Sequence, residues 1–106
     1  MNIHHAKKEF PFCSHVAVKD KNNLIGFEFN GSQIRVDVVR VKDFNSFEEL
    51  MDDIVSLARG EGYVRIFFGD TLSDELLVMF LQYGFRDKVV DTDRWNHYLY
   101  LEVTHD

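Results

Sequence analysis

The chain has 106 residues, 45% hydrophobic and 28% charged, with ten Phe, four Tyr and one Trp: enough apolar material for one packed core, and too much for a disordered segment. Its formal charge of −6 opposes nucleic-acid backbones and anionic membrane surfaces, which need clustered Lys and Arg. Cys13 is single, which excludes an intramolecular disulfide; with no signal segment and no apolar run near the ~18–20 residues of a membrane span, a cytoplasmic protein is expected.

Residues 1–14 (MNIHHAKKEFPFCS) lack clean periodicity and are expected to form an extended N-terminal arm, with His4 and His5 as a solvated terminus rather than a metal pair. Residues 15–20 (HVAVKD) and 24–30 (LIGFEFN) read as two strands joined by Lys21, Asn22 and Asn23, a polar turn in which Asn tolerates positive φ. Asn30, Gly31 and Ser32 turn the chain into a third strand over residues 34–41 (IRVDVVRV). There Ile34, Val36 and Val38 alternate with Arg35 and Asp37, until adjacent Val38 and Val39 break the phase. A β-bulge would return Val39 and Val41 to the buried face; a strand buried on both faces is the alternative.

Ser46-Phe47-Glu48-Glu49 reads as a capping box that opens a helix, with Ser46 as the cap and Glu49 reaching back. Phe47, Leu50, Met51, Ile54, Leu57 and Ala58 then share one face, and Gly60 or Gly62 ends the helix. Residues 63–68 (YVRIFF) form an apolar strand, parallel to the preceding strand because a helix connects them. A second helix starts near Ser73 and stops at Gly84; it is apolar nearly all round and expected to be well buried. Residues 85–90 and 97–103 close the domain as an antiparallel pair. The expected fold is one α+β domain over residues 1–106, a mixed, mostly antiparallel twisted sheet with two helices in the order β-β-β-α-β-α-β-β.

From its second strand to its last, that order resembles the GNAT acyltransferases, over roughly residues 16–103. VAVKDKNNLIGFEF resembles the family's early hairpin with its apolar-Ile-Gly-Phe strand, and residues 34–41 its bulged central strand. LARGEGYVRIFF resembles the end of the crossover helix and the strand after it, and FLQYGF the helix end that usually reads Tyr, three residues, Gly-Phe. The family's first strand and its two following helices would be missing, or reduced to the N-terminal arm.

The resemblance implies an acyl-CoA site and then withholds its parts. The family's pyrophosphate loop, Gln or Arg-x-x-Gly-x-Gly or Ala, falls here on Ser46, Glu49 and Met51, and no glycine occurs between Gly31 and Gly60. Glycine lets backbone approach an anion and free N–H groups bind it; a capped helix start with Asp43 and Glu48 beside it does the opposite. The family's acid Tyr aligns with Phe80, which has no proton to give, and Tyr83 is a poor substitute. An Asn upstream aligns with Glu75. For a base the central strand offers Asp37, against its reading as an outward polar residue. If a cofactor binds, it is acetyl-CoA, with Val39 and Val41 along its pantetheine arm and Arg40 or Lys42 at its phosphates.

Several other constellations have bland readings. Cys13 and His15 could pair as nucleophile and base, but nothing orients the His, and a partly buried structural Cys is the simpler account. Asp91, Asp93 and His97 carry metal-ligand chemistry in what reads as an ordinary turn, and Gly69-Asp70-Thr71 reads as a plain strand-to-helix loop. Trp95 and Tyr98, with Phe12, could expose an aromatic patch. The functional expectation is a non-catalytic GNAT-like domain that needs no cofactor. It would bind a protein partner or a second copy through a sheet edge, with no nucleic acid and no membrane. The alternative is a divergent acyl-CoA-dependent N-acetyltransferase.

Overall fold

The structure, a computed structural model, describes residues 3–6, 13–70, 72–88 and 97–104. The expected arm contains a strand: β1 (Ile3–His5) pairs antiparallel with β2 (His15–Asp20) through Ile3↔Ala17 and His5↔His15. So β1 is present, and the link from it to β2 spans residues 6–14, too few for the two helices that the GNAT resemblance places there.

β2 and β3 (Asn23–Asn30) form the expected hairpin, and β4 (Gln33–Arg40) follows antiparallel to β3. The first turn does not use positive φ at Asn, because no non-glycine residue described has it. Instead Asp20 Oδ1 accepts the Asn22 N–H at 2.8 Å, and Asn23 Nδ2 donates to the same carboxylate at 3.0 Å. The second turn does require glycine, since Gly31 sits at φ 63°.

The bulge in β4 falls at Asp37. Phe27 pairs with Val36 and Gly26 with Val38, so Asp37 is the extra residue between them. Before it, Ile34 and Val36 face the core; after it, Val39 and Val41 do, which is the phase change expected of a bulge.

Helix α1 (Phe44–Glu61) buries Phe47, Leu50, Met51, Ile54 and Ala58 on one face and ends at Gly62, φ 84°. Its cap is Asp43 rather than Ser46: the carboxylate accepts the Ser46 N–H at 2.8 Å, and Ser46, itself buried, lies inside the first turn. α1 crosses over to β5 (Arg65–Asp70), parallel to β4 as expected, with Gly69 and Asp70 extending the strand rather than opening a loop. Helix α2 (Asp74–Tyr83) is capped by Ser73, whose Oγ accepts the Leu76 N–H at 3.3 Å, and stops at Gly84. It is not enclosed on all sides: Phe80 is buried, while Val78 and Leu81 are 58% and 44% exposed. β6 (Arg86–Lys88) and β7 (His97–Glu102) pair antiparallel, with β7 inserted between β5 and β6 in the sheet order β1-β2-β3-β4-β5-β7-β6.

Both helices lie on one face of the sheet, where Phe47 of α1 meets Phe80 of α2 at 5.0 Å between ring centroids. Phe80 also meets Phe68 at 5.4 Å and Phe85 at 4.9 Å, so an aromatic cluster fastens the helices to the sheet. The other face carries no helix among the described residues. No described helix is long and apolar enough to cross a membrane.

Candidate functional site: a slot between two central strands

β4 and β5 are joined over only three residue pairs, Gln33↔Arg65, Ile34↔Ile66 and Arg35↔Phe67, although the strands run on to Arg40 and Asp70. β3 takes the far edge of β4 and β7 the far edge of β5 along this stretch. Residues 36–40 and 68–70 therefore face each other without strand pairing. The gap holds a cavity of about 220 Å³ lined by Arg35, Val36, Asp37, Phe68 and Gly69.

The bulge turns Asp37 toward this slot. Its side chain is 15% exposed, and Oδ1 accepts from Arg35 Nε at 2.9 Å. The same guanidinium reaches Glu28 Oε1 at 2.8 Å. Asp37 Oδ2 is buried without a hydrogen-bond partner, alone in this among the described side chains. Burial pushes the Asp37 carboxyl above the usual carboxylate range, with Arg35 pulling it down and Glu28 pushing it up. Asp37 therefore lies on the face away from the helices, as its alternation with Ile34 and Val36 predicts, but is largely shielded from solvent. It is an under-satisfied acceptor beside a cavity.

Beyond the slot, β4 leads through residues 41–43 into the start of α1. Asp43 holds the Ser46 N–H, and hydrogen bonds from the Ser46 backbone and side chain keep its carboxyl below the usual range. The Lys42 N–H donates to Asn23 Oδ1 at 2.9 Å, and the Lys42 ammonium stands close enough to Asp20 and Asp43 to lower both carboxyls. Of the residues expected along an acetyl-CoA, Val39 and Val41 pack against the core, while Arg40 and Lys42 follow the bulge on β4 and the loop after it.

Neither Phe80 nor Tyr83 serves the slot. Phe80 is completely buried. The Tyr83 hydroxyl donates to Asp52 Oδ1 at 2.6 Å, in a groove of about 460 Å³ between α1, α2 and the end of β7. Burial first, then Asp52, raises the Tyr83 pKa. That groove lies beside Glu102, which pairs with Arg65 at the start of β5, whereas the slot lies at the other end of the strand.

Cys13 and His15 do not meet. Cys13 packs against Gly26 and Val38 on the helix-free face, whereas the His15 ring lies on Phe27 and Phe29 on the helical face. Burial and the nearby Asp37 and Glu28 carboxylates push the Cys13 thiol up to about 11, so it is a weak nucleophile. Asp91, Asp93, Trp95, Phe12, Thr71 and the His97 side chain lie outside the described residues; among those described, no group of three His, Cys, Asp or Glu could hold a metal.

Two residues escaped the sequence reading in these roles. Asn23 reads as a turn residue, yet it is 5% exposed and ties the β2–β3 turn to the entry of α1. Arg35 reads as half of an alternation, and only the fold shows it between two carboxylates.

No family profile matches the sequence, and no curated protein is recognisably similar to it. Solved structures are. Ard1 from Thermoplasma volcanium superposes with a TM-score of 0.65 at 18% identity, over 86% of this chain and 69% of that one. A probable acetyltransferase from Staphylococcus epidermidis gives 0.68 at 14% identity, over 85% and 68%. A Bacillus subtilis acetyltransferase in complex with CoA gives 0.62 at 16%, over 85% and 76%. The chain has the GNAT fold, as a mixed seven-stranded sheet with two helices.

Proposed function

We propose that this chain is a non-catalytic GNAT-fold module that acts by binding a polypeptide. The observation that carries this reading is the Asp43 carboxylate capping α1. A pyrophosphate at that helix start would need the N–H that Asp43 already accepts and would face its negative charge at short range. Phe80, fixed in the aromatic cluster, supplies no proton to a leaving thiolate. The test is calorimetric titration with acetyl-CoA, with CoA as the control. The reading requires no heat up to millimolar ligand; micromolar binding overturns it.

A second reading has its own observation, the partnerless Oδ2 of Asp37 beside the β4–β5 slot. In a divergent acyl-CoA-dependent N-acetyltransferase, Asp37 would take the proton of an amine, aided by its raised pKa. Acetyl transfer to amines that is lost in Asp37→Asn supports this reading. Transfer by the wild type that survives in Asp37→Asn removes Asp37 from it.

A further inference from the structure

We propose that His5 and His15 form a two-imidazole site for a divalent transition-metal ion, of the Zn2+ or Cu2+ kind, that joins β1 to β2 on the helical face of the sheet. The site lies apart from the β4–β5 slot and does not depend on the polypeptide-binding reading.

Backbone pairing places the two rings together. His5 and His15 are direct partners across the antiparallel pair, and one step further on the Ala6 N–H donates to the Ser14 carbonyl at 3.0 Å. Hydrogen-bonded and non-hydrogen-bonded partners alternate along such a pair, and this bond puts His5 and His15 at the non-bonded position, where side chains stand closest. Their ring centroids are 4.6 Å apart, with 39° between the planes. Two imidazoles on one ion, with ~2.0–2.1 Å to each nitrogen, ~1.1 Å from nitrogen to ring centre and ~90–110° between the bonds, put their centroids ~4.5–5.2 Å apart. The strands already hold the rings at that spacing.

A hydrogen-bond chain then fixes which nitrogen is free. The Ser14 hydroxyl donates to the Phe27 carbonyl at 3.4 Å, so its oxygen is left to accept from His15 Nδ1 at 2.9 Å. With the proton on Nδ1, the lone pair of His15 lies on Nε2, as a metal ligand requires. An imidazole whose other N–H is held in this way is the usual form of a histidine ligand. Phe27 and Phe29 pack against the His15 ring, at 5.8 and 4.8 Å between centroids. His5 is exposed, so an ion reaches the pair from solvent. Among the described residues no third His, Cys, Asp or Glu joins them, so water completes the coordination and the ion is exchangeable rather than a condition of folding. Imidazole favours Cu2+, Ni2+ and Zn2+ over Mg2+ and Ca2+, which take oxygen ligands.

The probe is Zn2+, titrated into the full chain in a non-coordinating buffer at neutral pH. Calorimetry should show one equivalent bound at micromolar concentration, and the Nε2 resonances of both His5 and His15 should move. Hydrogen exchange of the β1 amides should slow, because the ion ties that strand to β2. His5→Gln and His15→Gln should each abolish micromolar binding. Ser14→Ala keeps both ligands but frees the ring, and should weaken binding by ~10-fold or more. His4→Gln should leave it unchanged, since alternation puts that side chain on the opposite face. Urea midpoints without metal separate ligand loss from unfolding: His5→Gln, at an exposed position, should match the wild type and keeps the test valid if His15→Gln perturbs the fold. No binding below millimolar Zn2+ overturns the inference. So does binding that survives His5→Gln, binding lost in His4→Gln, or Mg2+ held as tightly as Zn2+.

Discussion

A Cβ on Gly26 would stand 2.6 Å from Cys13 Sγ, closer than such atoms approach. This residue explains the Ile-Gly-Phe pattern of β3: the glycine admits the thiol to the sheet. Gly26→Ala is expected to cost ~1–3 kcal/mol in urea unfolding, the usual scale of overpacking. Adding Cys13→Ala should recover most of it, and additive losses would refute the contact. Asp37 titrates in the opposite sense to Asp43. The native fold raises the Asp37 pKa, so its contribution to stability is present below the unfolded value of ~3.9 and is lost as pH rises through the folded value. Asp43 is depressed, so its contribution is present above the unfolded value and is lost as pH falls through the folded one. Asp37→Asn should therefore raise the urea midpoint at pH 7, with the gain shrinking toward pH 4. A lower midpoint at pH 7 would mean that the Arg35 pairing outweighs burial.

Among the elements, the two helices are held by different means. α1 buries a continuous stripe, whereas α2 buries Phe80 alone and leaves Val78 and Leu81 exposed. Phe80→Tyr, which restores the aromatic acid of the GNAT resemblance, should not confer acetyl transfer. It should instead cost ~1–3 kcal/mol, because a hydroxyl among Phe47, Phe68 and Phe85 has no evident partner. Val78→Thr should stay within ~0.5 kcal/mol of wild type, as expected at an exposed position. A large loss there would show a buried contact for α2. At the start of α1, Asp43→Asn keeps a good cap and removes the charge, while Asp43→Ala loses both. The Asn variant should unfold near the wild-type midpoint and the Ala variant below it. Gain of acetyl-CoA binding in Asp43→Asn alone would identify charge as the barrier to the anion.

Across the whole molecule, the sheet is continuous from β1 to β6 except between the far halves of β4 and β5. Amide hydrogen exchange should report that division. In the free protein the slot-facing amides of residues 36–40 and 68–70 should exchange quickly, while those bonded to β3 and β7 stay protected. Uniform protection along β4 would mean that the slot closes in solution. The division also places Asp37 Oδ2, the one buried side-chain oxygen without a partner among the described residues, beside a cavity.

The strand and helix pattern after the N-terminal arm, the turn at Gly31, a helix stop at Gly60 or Gly62, the stop at Gly84 and the phase change in β4 were legible in the sequence. Each depends on local periodicity or on one residue's backbone freedom. The missing glycine loop and the Phe at position 80 were legible only through the resemblance to the GNAT acyltransferases. Three things required the tertiary structure. Asp43 displaced Ser46 as cap because the loop from Val41 sets where the first N–H groups point, and Asn23, distant in sequence, anchors that loop. α2 is half exposed because Leu77, Met79, Phe80 and Tyr83 pack on the core from one side only, leaving Val78 and Leu81 without a covering layer among the described residues. The slot and the unpaired oxygen of Asp37 arise where two strands part after three residue pairs, a divergence set by long-range packing that no local pattern encodes.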